Sequence, residues 1–279
     1  MNGATKTAGQ TSEATSSNQL KAAQSALLGL FLIASIFCIA QIFGLLRLSV
    51  SEGLMEGILL AVALASTLAS LAGQLPAQNV ALATGIVAGM GGAFHLIGAF
   101  TGIPFGPITY SQETGFKLFN ALPWFMPLLW VVVILNARGV ARLILRPWRK
   151  LRVYGYWLIG ITALLTVIFV LGLEPFATRV CHYWFWQSTK LPVDWYGTPL
   201  SDFLGWAVTA LLILGFSTPA LMKKRPSRSY PEYHPLIVWS AIQVVFIAGL
   251  WSQHLTVAVL VIAIGCVAVI PFAVRGARW

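Results

Sequence analysis

Eight apolar runs of about 20 residues succeed one another along this chain, near 22–46, 53–73, 79–100, 121–145, 154–173, 202–222, 235–252 and 255–273. A helix of about 20 residues spans the roughly 30 Å hydrocarbon core of a bilayer. Inside hydrocarbon every backbone N–H and C=O must find a partner within the protein, which leaves helices or closed barrels. Barrel strands read as short alternating segments, and these runs are continuous. The predicted fold is therefore all-α, a polytopic transmembrane helical bundle of about eight spans. Composition agrees, since 9% of the residues are charged where soluble domains carry about 25%. The last two runs are separated only by WSQHLT, which predicts a tight helical hairpin. No internal repeat is visible, which counts against transporter folds built from two halves.

The net charge of +10 excludes nothing until the cations are placed. They cluster beside apolar runs, as topology signals and contacts for anionic membrane lipid do, so nucleic acid is not an expected partner. ARLILRPWRKLR joins the fourth and fifth runs, and KKRPSRSYPEYH joins the sixth and seventh. The positive-inside rule makes both connections cytoplasmic. With eight spans both termini are then cytoplasmic, in keeping with Lys6, Lys21, Arg275 and Arg278. Only Arg47, Lys117, Arg179 and Lys190 fall on the other face. Residues 1–20, rich in Ser, Thr, Ala, Asn and Gln, are expected to form a disordered cytoplasmic tail. Residues 21–279 are expected to form one transmembrane domain in the cell (inner) membrane, its first helix a retained anchor.

The acids take the opposite side. Glu52, Glu56, Glu113, Glu174, Asp194 and Asp202 map to outer ends of spans or outer loops, level with His95, His182 and His254. Only Glu13, Glu232 and His234 map inside. Acid–base chemistry is therefore expected near the extracytoplasmic face.

In the third run Ala88, Gly91, Gly92, His95, Ala99 and Gly102 are spaced to share a face. Small residues let a neighbouring helix approach, so His95 should point into the bundle. It is either a structural histidine bonded across helices or a proton relay, intramembrane ionisable groups being costly and often functional. TGIPFGPITY (101–110) must then turn, and non-helical backbone at that depth must be buried or line a wet cavity. In GLEPFATRVCHYWFW (172–186), Glu174 sits at the end of a helix, where the dipole disfavours a carboxylate. A partner is expected, Arg179 being the nearest. Desolvation favours the protonated form of a carboxyl group, the form a general acid needs. Tyr183, Trp184, Phe185 and Trp186 suit an interfacial belt or an aromatic box for a carbocation. In WYGTPLSDFLGW (195–206), Thr198 or Ser201 can cap the sixth helix, and Asp202 in its first turn is favoured by the dipole. Asp202 and Trp206, four apart, share a face.

Cys38, Cys181 and Cys266 are far apart and form no metal or redox pair. The chain lacks a paired-aspartate motif for magnesium diphosphate, a histidine-box set, a Gly-rich phosphate loop and a dinucleotide fingerprint. Neither a metal nor a redox cofactor is expected.

GIPFGPITY, LEPF…YWFW and YGTPLSDFLGW, in that order over roughly residues 85–215, resemble the membrane-embedded carotenoid hydratases of bacterioruberin and γ-carotene-derived pathways (the CruF type). That family's pattern has P-F-G-x-Y-x-Y, D-x-x-x-D-P closing a span, and Y-G-V-P-L-x-N-F-x-G-W. Pro104, Phe105, Gly106 and Tyr110 match. Ile108 replaces a tyrosine, Val170 and Glu174 replace the two aspartates, and Asp202 replaces the asparagine. The resemblance implies a divergent enzyme of carotenoid biosynthesis, a hydratase (hydro-lyase). It would add water to the terminal double bond of an acyclic (ψ) carotenoid end by protonation and water capture. Glu174 would donate the proton, with Asp202 or His95 orienting water. Tyr110, Phe105, Tyr183, Trp184, Trp186, Trp195, Tyr196 and Trp206 would line the site. The lipophilic polyene would enter from the bilayer, and association with other carotenoid enzymes is in keeping. The alternative functions are a membrane transporter and a non-catalytic carotenoid- or lipid-binding membrane protein.

Overall fold

The structure, a computed structural model, describes residues 4–46, 52–187, 193–222 and 232–279. Eight helices account for most of these: α1 (Ala4–Ile42), α2 (Glu52–Ala72), α3 (Ala77–Thr101), α4 (Met126–Ile144), α5 (Tyr154–Pro175), α6 (Leu200–Ser217), α7 (His234–Ser252) and α8 (Thr256–Ala277). Each has a stretch long and apolar enough to cross a membrane, making this a multi-pass helical membrane protein. α7 and α8 form the expected hairpin, separated by residues 253–255.

Two boundaries differ from the sequence reading, each for a local reason. Helix α4 starts at Met126 rather than near 121, with Pro127 in its first turn, where the missing N–H costs nothing. The fifth span does not stop at 173. It runs through Pro175 and continues as a π-helical turn, Phe176–Val180.

Burial identifies the centre of the bundle. Inside α4, 72% of the spanning window is buried, against 17% for α1. α4 packs on α2, α3, α5, α7 and α8, with Trp130 and Val131–Ile134 almost wholly enclosed. Close approach of its neighbours depends on glycine. A Cβ on Gly91 of α3 would run into the Trp130 ring, and one on Gly92 would lie 3.0 Å from Pro127. Gly91, Gly92 and His95 are accordingly buried, as the small-residue face predicts.

Outside the helices, three short antiparallel ribbons pair the backbone of the α3–α4 and α5–α6 connections. β1 (Ile108–Tyr110) pairs with β4 (Trp184–Trp186), so Tyr110 lies opposite Trp184 and Ile108 opposite Trp186. β2 (Lys117–Leu118) pairs with β3 (Leu122–Pro123). β5 (Asp194–Trp195) pairs with β6 (Thr198–Pro199) around Tyr196 and Gly197. Both turn residues have positive φ, 54° and 93°, the conformation of a tight type I′ hairpin.

Candidate active site

Glu174 is placed by a defect in α5. Pro175 has no N–H and cannot donate to the carbonyl of Leu171 one turn back. Trp195 supplies the missing donor, its Nε1 lying 3.0 Å from Leu171 O. The widened turn that follows closes through Cys181 N to Phe176 O at 3.0 Å and Thr178 Oγ1 to Glu174 O at 2.8 Å. This brings β4 back over the helix end and directs Glu174, 1% exposed, beneath it.

Three side chains donate to one oxygen of that carboxyl group. Trp186 Nε1 is 2.9 Å, Trp184 Nε1 3.1 Å and Thr198 Oγ1 3.3 Å from Glu174 Oε2. The sequence pointed to Arg179 as partner, and the structure corrects this. Arg179 donates through Nε and Nη2 to Tyr196 O, at 3.1 and 2.9 Å, and thereby braces the β5–β6 turn. A second correction concerns helix capping. Neither Thr198 nor Ser201 caps α6: Thr198 is committed to Glu174, and Ser201 Oγ donates to Phe105 O at 3.0 Å.

Asp202, also 1% exposed, lies in the first turn of α6 with its carboxyl group in hydrogen-bonding reach of Glu174. Its Oδ2 has no donor. Two carboxylates offer only acceptors to one another, so a direct bond between them requires a proton on one. The Trp206 indole N–H, buried one turn along α6, faces the same carboxyl group without closing a bond of good geometry. The Tyr110 hydroxyl is buried, unpartnered and close enough to both acids to feel their charge. Burial first, then those two carboxyl groups, push its ionisation well above the ordinary tyrosine range, so it remains a phenol.

His95 is the next layer. Trp130 Nε1 donates to its Nδ1 at 3.0 Å, which places the proton of the neutral ring on Nε2. Its ring lies 4.0 Å from Phe105 and 5.2 Å from Trp206, and Trp206 stacks on Trp130 at 4.1 Å. His95 therefore meets the acid pair through Trp206. Gly205 lets the 102–107 loop close this layer, since a Cβ there would meet Phe105 at 2.7 Å and the Pro104 backbone at 3.0 Å.

Of the residues singled out in the sequence, the structure gathers Glu174, Asp202, Tyr110, Trp184, Trp186 and Trp206, with His95 and Phe105 behind. Three lie elsewhere. Tyr183 turns the other way along β4, toward Glu56, Cys181 and Phe125. Trp195 is occupied with Leu171, and the Tyr196 hydroxyl accepts from Ala258 N at 3.2 Å. Thr198 and Trp130 complete the cluster and were missed as members of it. Thr198 read as a capping residue, and nothing in the sequence singles out Trp130 from the apolar run 121–145. Among the described residues no three His, Cys, Asp or Glu side chains gather in a metal-binding group.

A family model described as carotenoid biosynthesis protein matches residues 52–271. Bisanhydrobacterioruberin hydratase of Haloarcula japonica is 27% identical over 141 residues, 49% of this chain and 45% of that protein. The chain thus spans less than half the length of that curated relative. No solved structure matches it.

Proposed function

Because the chain belongs to the carotenoid biosynthesis protein family, we propose that the cluster around Glu174 is where it adds water to the terminal double bond of an acyclic (ψ) carotenoid end. The arrangement of three donors on one oxygen of a buried carboxyl group, beside a second buried carboxyl group, carries this reading.

The balance of the reaction assigns the roles. A proton leaves the carboxyl group for the less substituted carbon of the terminal alkene, whose π electrons form the new C–H bond. The adjacent carbon becomes a tertiary cation. Water adds through oxygen, and its surplus proton returns to the carboxylate, leaving a tertiary alcohol and a regenerated acid. Glu174 suits the donor role, since Trp184, Trp186 and Thr198 hold the oxygen on which charge develops, in a site from which water is largely excluded. Asp202 and the Tyr110 hydroxyl, each with an unpartnered oxygen beside Glu174, suit the orientation of water. The faces of Trp184, Trp186 and Trp206 suit the cation. His95, tied to Trp130, would position Trp206 rather than meet water.

The position of the second acid also fits. The family pattern puts an aspartate where this chain has Val170, one turn before Glu174, and an asparagine at the position of Asp202. Val170 is fully buried on α5. This chain keeps two carboxyl groups, but draws the second from α6 instead of α5.

The site is closed, so the polyene end would reach it by displacing part of the wall. Trp186, half-buried on β4, is its most exposed indole. The test is expression in cells that accumulate lycopene or γ-carotene, with pigments resolved by mass. Wild type is expected to yield carotenoid heavier by one water, and Glu174→Gln to lose that product by at least about a hundredfold at equal membrane abundance. Absence of any hydrated carotenoid with wild type would sink the assignment. Unmodified carotenoid co-purifying with the protein would then favour a binding role.

A further inference from the structure

Far from the acid pair, where α2, α4, α6 and α7 end together, a small cavity of about 20 Å³ is lined by Ser70, Gln74, Asn136, Arg138 and Arg142 among others. Its charged side chains are both cationic, and among the described residues no Asp or Glu lines it. Arg138 is 6% exposed and lies six residues, roughly 9 Å, inside the end of α4. Its Nη2 bonds Leu221 O at 3.2 Å, and its Nε bonds nothing. Among the described residues, the ionisable groups acting on it are Arg142 and the Tyr154 phenol. Ser70, 3% exposed, likewise has an unpartnered hydroxyl.

A buried guanidinium without an acid is costly, and a like charge four residues along the same helix face adds to the cost. Arg142 is held over the mouth by Gln74, with Nη1 3.1 Å from Gln74 Oε1. Two guanidinium groups at different depths, with a hydroxyl donor between helices, form a fork suited to a phosphate group. The inner volume accepts one oxygen-sized group, so a tetrahedral anion would sit at the mouth with one oxygen reaching inward. The mouth lies at the end of α4, where the cationic run 142–152 begins, the kind of cluster that contacts anionic lipid beside a span.

We propose that Arg138 and Arg142 bind a phosphate-bearing anion, and that its source is the headgroup of an anionic phospholipid. The site is independent of the hydration chemistry, so its test is a binding one. Purified full-length protein in dodecylmaltoside would be titrated with phosphatidylglycerol, with uncharged digalactosyl diglyceride, and with inorganic phosphate. Bound lipid would be followed by native mass spectrometry and the thermal midpoint. Retention of phosphatidylglycerol with a raised midpoint, at least tenfold weaker in Arg142→Gln and unchanged in Arg152→Gln, is the expected result. The same pattern with inorganic phosphate alone would support the anion site and assign it a soluble source. Three results would overturn the proposal: equal binding of the galactolipid, equal weakening by Arg152→Gln, or no response of wild type to either phosphate compound. Since wild type alone can give the first and the last, the test survives even if Arg142→Gln does not fold.

Discussion

Trp195 completes the helix that Pro175 interrupts, donating its indole N–H to the Leu171 carbonyl at 3.0 Å. Trp195→Phe keeps a six-membered aromatic ring but loses the pyrrole ring with its donor, leaving that carbonyl without a partner. A loss of about 1 kcal/mol is expected, seen as a lower thermal midpoint in detergent. Pro175→Ala restores a backbone N–H to the same carbonyl, so Trp195→Phe should cost less in that background. Equal costs in the two backgrounds would show that the indole bond is unconnected with the proline.

Thr198 and Trp186 test whether the donors to Glu174 act on chemistry or only on folding. Thr198→Val is nearly isosteric and removes one of three bonds to Oε2. A hydrogen bond to a charged group contributes about 1.5 kcal/mol or more, so hydration should slow at least roughly tenfold. Trp186→Phe should act similarly. Thr198→Ser, which keeps the hydroxyl, should recover most of the rate. Product formed per unit of folded protein in isolated membranes is the measurement, and a loss tracking only the thermal midpoint would reduce these residues to packing.

Much of this architecture was legible from pattern because bilayer physics leaves few options. Apolar length gave the eight helices, and glycine spacing gave the buried face of α3 with His95. The family motifs pointed to Glu174, Asp202 and Tyr110. What pattern could not give was pairing between loops. Tyr183 and Trp184 are adjacent in sequence, yet strand alternation sends one toward Glu56 and the other to Glu174. The charge argument for Arg179 failed because indole N–H groups satisfied the carboxyl group instead, and nothing in the spacing of Trp184 and Trp186 announces that. Thr198 likewise reads as a cap until the Tyr196–Gly197 turn carries it under the helix end.

Gly205 shows how tightly the loop before β1 is seated. An alanine Cβ there would meet Phe105 at 2.7 Å and the carbonyl carbon and oxygen of Pro104 at 3.0 Å, and backbone atoms cannot swing away. Overpacking of this kind costs about 1–3 kcal/mol. Gly205→Ala should lower the thermal midpoint and disturb Trp206, and the hydrated product should fall with it. Gly215→Ala, on the same helix with open space around it, should leave both unchanged.

Two phenols make alkaline pH a probe of this end of the bundle. Burial pushes the ionisation of Tyr110 and Tyr183 upward, aided by Glu174 and Asp202 for the first and by Cys181 and Glu56 for the second. In the unfolded chain a tyrosine releases its proton near pH 10. Above that value the folded protein retains protons that the unfolded chain has lost, so the unfolded form gains and stability falls as pH rises. Below it both states are protonated, and the phenols contribute no pH dependence. The thermal midpoint should therefore decline from about pH 10 upward, and less steeply in Tyr110→Phe. Ultraviolet titration should show that Tyr110 and Tyr183 are among the tyrosines that ionise only on unfolding. Complete ionisation of all seven tyrosines in the folded protein at about pH 11 would place Tyr110 in contact with water, and would remove it from the closed wall around Glu174.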